Sequence, residues 1–229
     1  MEFESFIKNL NESEIDNYNK YSEIRGEIPY KIVFECLKKL DENISFKDIN
    51  SFIRLDKALK DILYKYLGTL EDYIKTKIFS SYDFESYDSL KEKYIYFNRL
   101  PKVIKKQINK YEITELYKRF ALNFGDIISF LKDYEPDMFN FDKLENVLKL
   151  RNNVMHHNLL LFKFDDDIIT STKNEIEEQI ESLLQLLPES HREGLIKELS
   201  IPINATKENI NPKFYQYLLY KEDLLCVNI

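Results

Sequence analysis

The stretch Ser45–Phe79, SFKDINSFIRLDKALKDILYKYLGTLEDYIKTKIF, decides the fold class. Ile62, Tyr66, Leu70, Tyr73 and Ile74 recur at helical spacing, while Lys and Asp fill the other face. This pattern predicts one long amphipathic helix. Gly68 is where it would be interrupted, since a glycine costs a helix interior about 1 kcal/mol relative to alanine. The same period dominates the rest of the chain, and apolar/polar alternation over a strand length is scarce. The sequence therefore reads as an all-α protein.

Working outward, Pro29–Leu40 repeats the amphipathic pattern with Ile32, Val33, Leu37 and Leu40, after a turn at Arg25-Gly26. Pro29 stands where a first helical turn tolerates it. Downstream, Tyr82–Arg99 is Tyr-rich and acidic, with a connecting helix expected from Ser89 and an end before Pro101. A helix is expected from Glu112 to Leu122, then a break near Gly125 and a second helix to Tyr134, before Pro136. Asp142, with Glu145 three residues on, predicts the N-cap and capping box of a helix running to Asn158. Helices are expected over Thr172–Leu187 and within Ser190–Leu199, the latter bounded by Pro188 and Pro202. No repeat or linker divides the chain, so residues 1–229 read as one helical domain, with a core over residues 20–205 and a less regular tail over 206–229.

Composition narrows the functional classes. At 229 residues the chain can bury a core without disulfides or metals, and 44% hydrophobic with 14% aromatic residues excludes disorder over most of its length. The 33 Lys and Arg stand against 40 Asp and Glu, so the net charge is −7 and any nucleic-acid contact must be local. Cys36 and Cys226 form no CxxC pair, which argues against a zinc site or a disulfide framework and fits a reducing cytoplasm. Met1–Leu10 carries Glu2 and Glu4 and lacks the features of a signal peptide. No apolar run approaches the roughly 20 residues a membrane helix needs, so no membrane role is expected. The 16 Tyr and 16 Phe sit mostly at helical spacing and read as core, not as a base-stacking platform. Asp165-Asp166-Asp167 reads as a loop and helix cap; no metal and no cofactor are expected.

The chemistry concentrates in DKLENVLKLRNNVMHHN, residues 142–158. On a helix of 100° per residue, Leu144, Val147, Leu148, Val154 and Met155 all fall within about 60° of Arg151. A guanidinium on that apolar stripe needs a partner: an acid from a neighbouring helix, a cluster of carbonyls, or an anion from outside. Glu145, Asn152 and His156 form a polar file on the edge of the stripe, at about 100–140°. An imidazole can move a proton to or from a ribose 2′-OH or a leaving 5′-oxygen, and a guanidinium can grip the phosphate between them. The plainer alternative makes Arg151 a salt-bridge anchor and His156 a surface residue.

Leu150-Arg151-Asn152-Asn153-Val154-Met155-His156-His157-Asn158 resembles the R-N-x-x-x-H signature of the HEPN superfamily, in particular the motif helix of its Abi-like abortive-infection proteins. Arg54-Leu55-Asp56-Lys57-Ala58-Leu59-Lys60 and Leu70–Ile78 are similar to another helix of that family. Leu122-Asn123-Phe124-Gly125 resembles its F-G turn, and Leu187-Pro188-Glu189-Ser190 its segment after the motif. The resemblance implies a HEPN-type helical bundle and a homodimer with a composite active site. It further implies metal-independent RNA cleavage through the 2′-OH, with Arg151 and His156 catalytic and Asn152 their polar companion. A toxin-like effector in anti-phage defence follows, held by a small RNA or a nucleotidyltransferase-type protein as antitoxin. Met155 stands where the family has a small residue, and Lys57, Lys60 and Lys75 replace arginines, losing the bidentate fork.

Lys102, Lys105, Lys106 and Lys110 lie in the most basic stretch, Pro101–Tyr111, and are candidate RNA contacts or else a solvated helix face. His157 joins them as a candidate contact, although it points away from His156. The alternative to a nuclease is a non-catalytic HEPN module that binds RNA or a protein partner.

Overall fold

The computed structural model describes residues 2–81, 124–134, 136–165 and 168–219. The described residues are mostly helical: α1 (Phe3–Lys8), α2 (Glu12–Arg25), α3 (Ile28–Lys38), α4 (Phe46–Ser81), α5 (Phe124–Tyr134), α6 (Phe141–Met155), α7 (Lys173–Leu186) and α8 (Glu189–Lys207). An antiparallel hairpin, β1 (Phe162–Asp165) with β2 (Ile168–Ser171), and a 3-10 helix over Pro212–Tyr217 complete the set. The expected helices over residues 89–99 and 112–122 lie outside the described residues.

The long helix α4 is the axis of the fold. It runs 36 residues without a break at Gly68. Leu63, Leu67, Leu70 and Ile74 are all buried on one continuous face. Burying a single leucine contributes about 1.5–3 kcal/mol, more than the glycine costs, so the stripe carries the helix through. Ser45 and Asp48 close its start: Ser45 N–H and Oγ–H donate to Asp48 Oδ2 at 3.0 and 2.5 Å, and Ser45 Oγ accepts from Asp48 N–H at 3.1 Å. Asp48 Oδ1 accepts from Asn211 N–H at 2.8 Å, tying the segment before the 3-10 helix to the same point.

Around this axis, α3, α6 and α8 pack on α4, and α7 lies along α6. The shared core includes Leu59 and Leu63 of α4, Leu144 and Leu150 of α6, Leu183 of α7, Leu195 of α8 and Phe214. The N-terminal helices join it through rings: Phe3 and Phe6 meet Phe34 with centroids 5.5 and 5.1 Å apart. Asn11 and Glu14 form the capping box of α2, and Gly26, at φ 77°, makes the turn into α3 that the Arg25-Gly26 pair predicts.

Other expectations change as well. Asn140, not Asp142, caps α6, its side chain accepting from Lys143 N–H at 3.1 Å, and Glu145 instead faces Lys132 of α5 at 3.6 Å. The short helix expected up to Leu199 continues as α8 through Pro202 to Lys207. Proline removes one backbone donor, but Leu195, Leu199 and Thr206 keep one face buried, and Thr206 Oγ1 donates to Pro202 O at 2.8 Å. The hairpin was not anticipated, because four-residue strands are too short for alternation to register; Phe162 is buried against Phe52 and Tyr217.

Two helix glycines test this account. A Cβ at Gly68 meets nothing within 4 Å, whereas one at Gly194 comes within 2.7 Å of Tyr66 Oη, on a buried ring whose hydroxyl donates to Glu198 at 3.0 Å. In urea unfolding, Gly68→Ala is expected to gain about 0.5–1 kcal/mol. Gly194→Ala is expected to show none of that gain.

Candidate functional site

Helix α6 buries Leu144, Val147, Leu150 and Val154. Taken around the helix, these place the centre of the buried arc on the Val147–Val154 side of Arg151, not on Arg151 itself. Arg151 is half-buried at the edge of the arc, with Leu148 and Met155 half-buried beside it and Asn152 exposed. Its Nε is buried and has no hydrogen-bond partner. Among the described residues no carboxylate pairs with its guanidinium, so the salt-bridge anchor considered from sequence is not formed there.

The helix ends at Met155, three residues earlier than expected. His156 is the C-cap, its N–H donating to Asn152 O at 2.9 Å. His157 follows at φ 56°, in the left-handed region. Its N–H donates to Val154 O at 3.2 Å, and Asn158 N–H donates to Asn153 O at 3.0 Å. This pair of bonds is a Schellman motif, which closes orphan carbonyls at a helix end and normally places glycine at the left-handed position. Both histidines are exposed. About 140° separates Arg151 from His156 around the helix axis, so the two side chains leave it in different directions.

The turn is fastened to α4 by a buried ion pair. Asp56 is 3% exposed; its Oδ1 accepts from Leu160 N–H at 2.7 Å, and its Oδ2 faces Lys60 Nζ at 2.5 Å. Lys60 also donates to His157 O at 3.2 Å. Burial pushes the Asp56 carboxyl up, against the pull of the Lys60 ammonium and the Leu160 amide. From sequence Lys60 stands only as a replaced arginine, and Asp56 carries no assigned role. The clue was present: Phe52, Asp56, Leu59 and Leu63 share one helical face, and an acid among core residues implies a partner. Lys75 is likewise taken up, by Glu71 at 2.7 Å, while Lys57 is exposed.

Three concavities lined by described residues adjoin this region. One of about 500 Å³ lies between α2, α4 and the turn, with Arg25, Lys57, Lys60, Tyr64 and His157 in its wall. A second of about 540 Å³ lies beyond the turn, between Pro29, His157, Asn158, Phe162 and Glu175. A third of about 520 Å³ continues the first along α4, to Tyr30 and Arg54. His157 thus stands between two concavities, whereas Arg151, Asn152 and His156 line none of the three. Lys102, Lys105, Lys106 and Lys110 lie outside the described residues, so their placement beside the motif is not described. Among the described residues no three His, Cys, Asp or Glu side chains gather as metal ligands, and no helix is long and apolar enough to cross a membrane.

Asp56→Ala leaves Lys60 half-enclosed without its partner and is expected to cost about 3–5 kcal/mol. Asp56→Asn, which keeps an acceptor for Leu160 N–H, is expected to cost less; denaturant midpoints separate the two. His157→Gly is expected to stabilise by about 1 kcal/mol, by relieving a side chain from the left-handed region. Comparison of the chain with protein-family models, curated proteins and solved structures finds no match in any of the three.

Proposed function

We propose that the chain is a metal-independent RNA endonuclease of HEPN type, with Arg151 and His156 as the active pair and Asn152 beside them. The observation that carries this reading is the Arg151 guanidinium, whose buried Nε has no partner, on the same helix as the exposed polar file of Asn152 and His156. A buried guanidinium nitrogen without a hydrogen-bond partner costs free energy, and an arriving phosphate would satisfy it.

The chemistry asks little more of these residues. His156 takes the proton of a ribose 2′-OH, or gives one to the departing 5′-oxygen, and Arg151 holds the phosphate as negative charge builds on it. The 2′-oxygen bonds to phosphorus, the bond to the 5′-oxygen breaks, and a 2′,3′-cyclic phosphate remains. Every proton in this sequence can be carried by imidazole and every charge by guanidinium. The divergence of Arg151 and His156 around their helix favours a homodimer, in which the motif helix of a second copy supplies the facing group. An abortive-infection effector, acting in the cytoplasm and silenced by a small RNA or a nucleotidyltransferase-type protein, is the cellular role that accompanies this reading.

The test is cleavage of total RNA in EDTA by wild type, His156→Ala and Arg151→Met, with analysis of product ends and of thermal stability. His156→Ala is expected to lose about 10²–10⁴-fold in rate, the usual worth of a general acid or base. Its stability should stay within about 0.5 kcal/mol of wild type, as for most surface substitutions. Arg151→Met keeps most of the side-chain volume without the unpartnered Nε, so its stability should equal or exceed that of wild type while cleavage is lost. A large loss of stability in Arg151→Met would return Arg151 to a structural anchor. Absence of cleavage by wild type at dimer-forming concentrations would favour a module that binds RNA or a partner without cutting.

A further inference from the structure

The turn after α6 hangs on a single carboxyl group. Asp56 Oδ1 accepts from Leu160 N–H, Oδ2 faces Lys60 Nζ, and the same ammonium donates to His157 O. The carbonyl that Lys60 holds thus belongs to the residue kept at φ 56°. A side chain in that region is disfavoured, because its Cβ crowds the following carbonyl oxygen. Besides the Lys60 bond, the turn is closed by its own backbone, His157 N–H on Val154 O and Asn158 N–H on Asn153 O.

A proton on Asp56 would not disturb these contacts equally. With the proton on Oδ2, Oδ1 keeps its lone pairs and Leu160 N–H keeps its acceptor. Oδ2 then turns a hydroxyl toward the ammonium, two donors face to face, and Lys60 loses the negative charge opposite it. Asp56 and Lys60 both line the concavity of about 500 Å³ between α2, α4 and the turn, which is open to solvent. Through it a proton from water reaches Oδ2, and into it the ammonium can swing and be hydrated. His157 O is then left without its side-chain donor, and the left-handed residue without its tether to α4.

The charged groups around Asp56 are few. In that concavity Arg25 faces it from α2, Lys57, Lys60 and Asp61 from α4, and His157 from the turn, while α3 and α6 contribute no charged group to the lining. Burial pushes the Asp56 carboxyl above the usual carboxylate range, opposed by Lys60, the Leu160 amide and Arg25. As the pH falls, Asp56 therefore takes up its proton earlier than an exposed aspartate does. The ion pair is intact above that pH and broken below it.

We propose that Asp56 and Lys60 form a proton-operated latch on the end of α6. Ionised Asp56 keeps Lys60 on the His157 carbonyl and the turn in its left-handed form; protonated Asp56 lets go of Lys60, and the turn relaxes. The latch goes beyond the nuclease reading and does not rest on it.

The test is an NMR titration of the full chain from about pH 8 to about pH 4, a span that reaches down to the ordinary carboxylate range. The signals followed are the Asp56 side-chain carboxyl carbon and the backbone carbons of His157, whose shifts report its φ and ψ. In wild type the carboxyl is expected to titrate above the range of an exposed aspartate, and the His157 shifts to move with the same midpoint. Asp56→Asn mimics the protonated acid, so its His157 shifts should lie at the low-pH wild-type position at every pH. It keeps both exposed imidazoles, so any response that belongs to them persists in it. Lys60→Met should also show the relaxed turn throughout, with the carboxyl midpoint moved up by loss of the ammonium. His157→Gly relieves the left-handed residue and remains well folded; its carboxyl should still titrate while the backbone response shrinks severalfold. The proposal is overturned if the wild-type carboxyl titrates without a change at His157, if the His157 shifts move equally in Asp56→Asn, or if that variant keeps the high-pH wild-type turn. It is also overturned if the only change on acidification is global unfolding, seen as simultaneous loss of the core resonances. None of these signals involves RNA, so failure of the nuclease reading leaves the latch standing, and failure of the latch leaves the nuclease reading untouched.

Discussion

The buried carboxylate of Asp56 is the constraint on which the region around the motif depends. A helix end must reverse the chain, and the reversal after α6 leaves a buried Leu160 N–H and the His157 carbonyl facing α4. Asp56 and Lys60, one turn apart on α4, meet both: the carboxylate accepts the amide, the ammonium serves the carbonyl, and the two charges compensate each other. Such a pair contributes little net stability compared with an apolar replacement, but it leaves only one register in which all four groups are satisfied. It therefore fixes the end of α6 on the axis of the fold, and with it the positions of Asn152, His156 and His157.

Arg151 shows the opposite accounting. The turn beside it is closed by its own backbone bonds and held by Asp56 and Lys60, whereas the Arg151 Nε is buried without a partner. Folded proteins rarely leave a polar group in this state, and where they do, a ligand or a functional demand commonly explains it. Tyr30 presents the same feature in the wall of the third concavity along α4, again among cations. The two unpartnered donors lie on different surfaces, one at the edge of α6 and one between α2, α3 and α4, and α4 connects them.

The left-handed histidine links local structure to this arrangement. At His157 a glycine would fit without strain, yet the side chain present there stands between two concavities, and its own carbonyl is the group that Lys60 holds. Strain retained at such a place is a cost that the packing of α6 on α4 and α7 offsets.

The all-α class was legible from the period of Ser45–Phe79 alone, and so were the N-terminal turn of α3 at Pro29, the reversal at Arg25-Gly26 and the exposed file of Asn152 and His156. Those features are local: they follow from which residues recur every three or four positions and from what Pro and Gly permit. Gly68 and Pro202 misled for one reason, since a helix penalty of a single residue is small against a continuous buried face, and only packing shows that the face continues. The cap at Asn140 and the end of α6 at Met155 were displaced by a few residues, because several polar residues near each end have cap-forming chemistry and the neighbouring helices select among them. What the tertiary structure alone decided is the pairing of distant groups. Asp56 meets Leu160, Asp48 meets Asn211, and Arg25 comes to lie with Arg54 and Tyr30, contacts that no spacing encodes. Sequence determines which side chains must find partners when they are buried; only the folded chain determines which of them do.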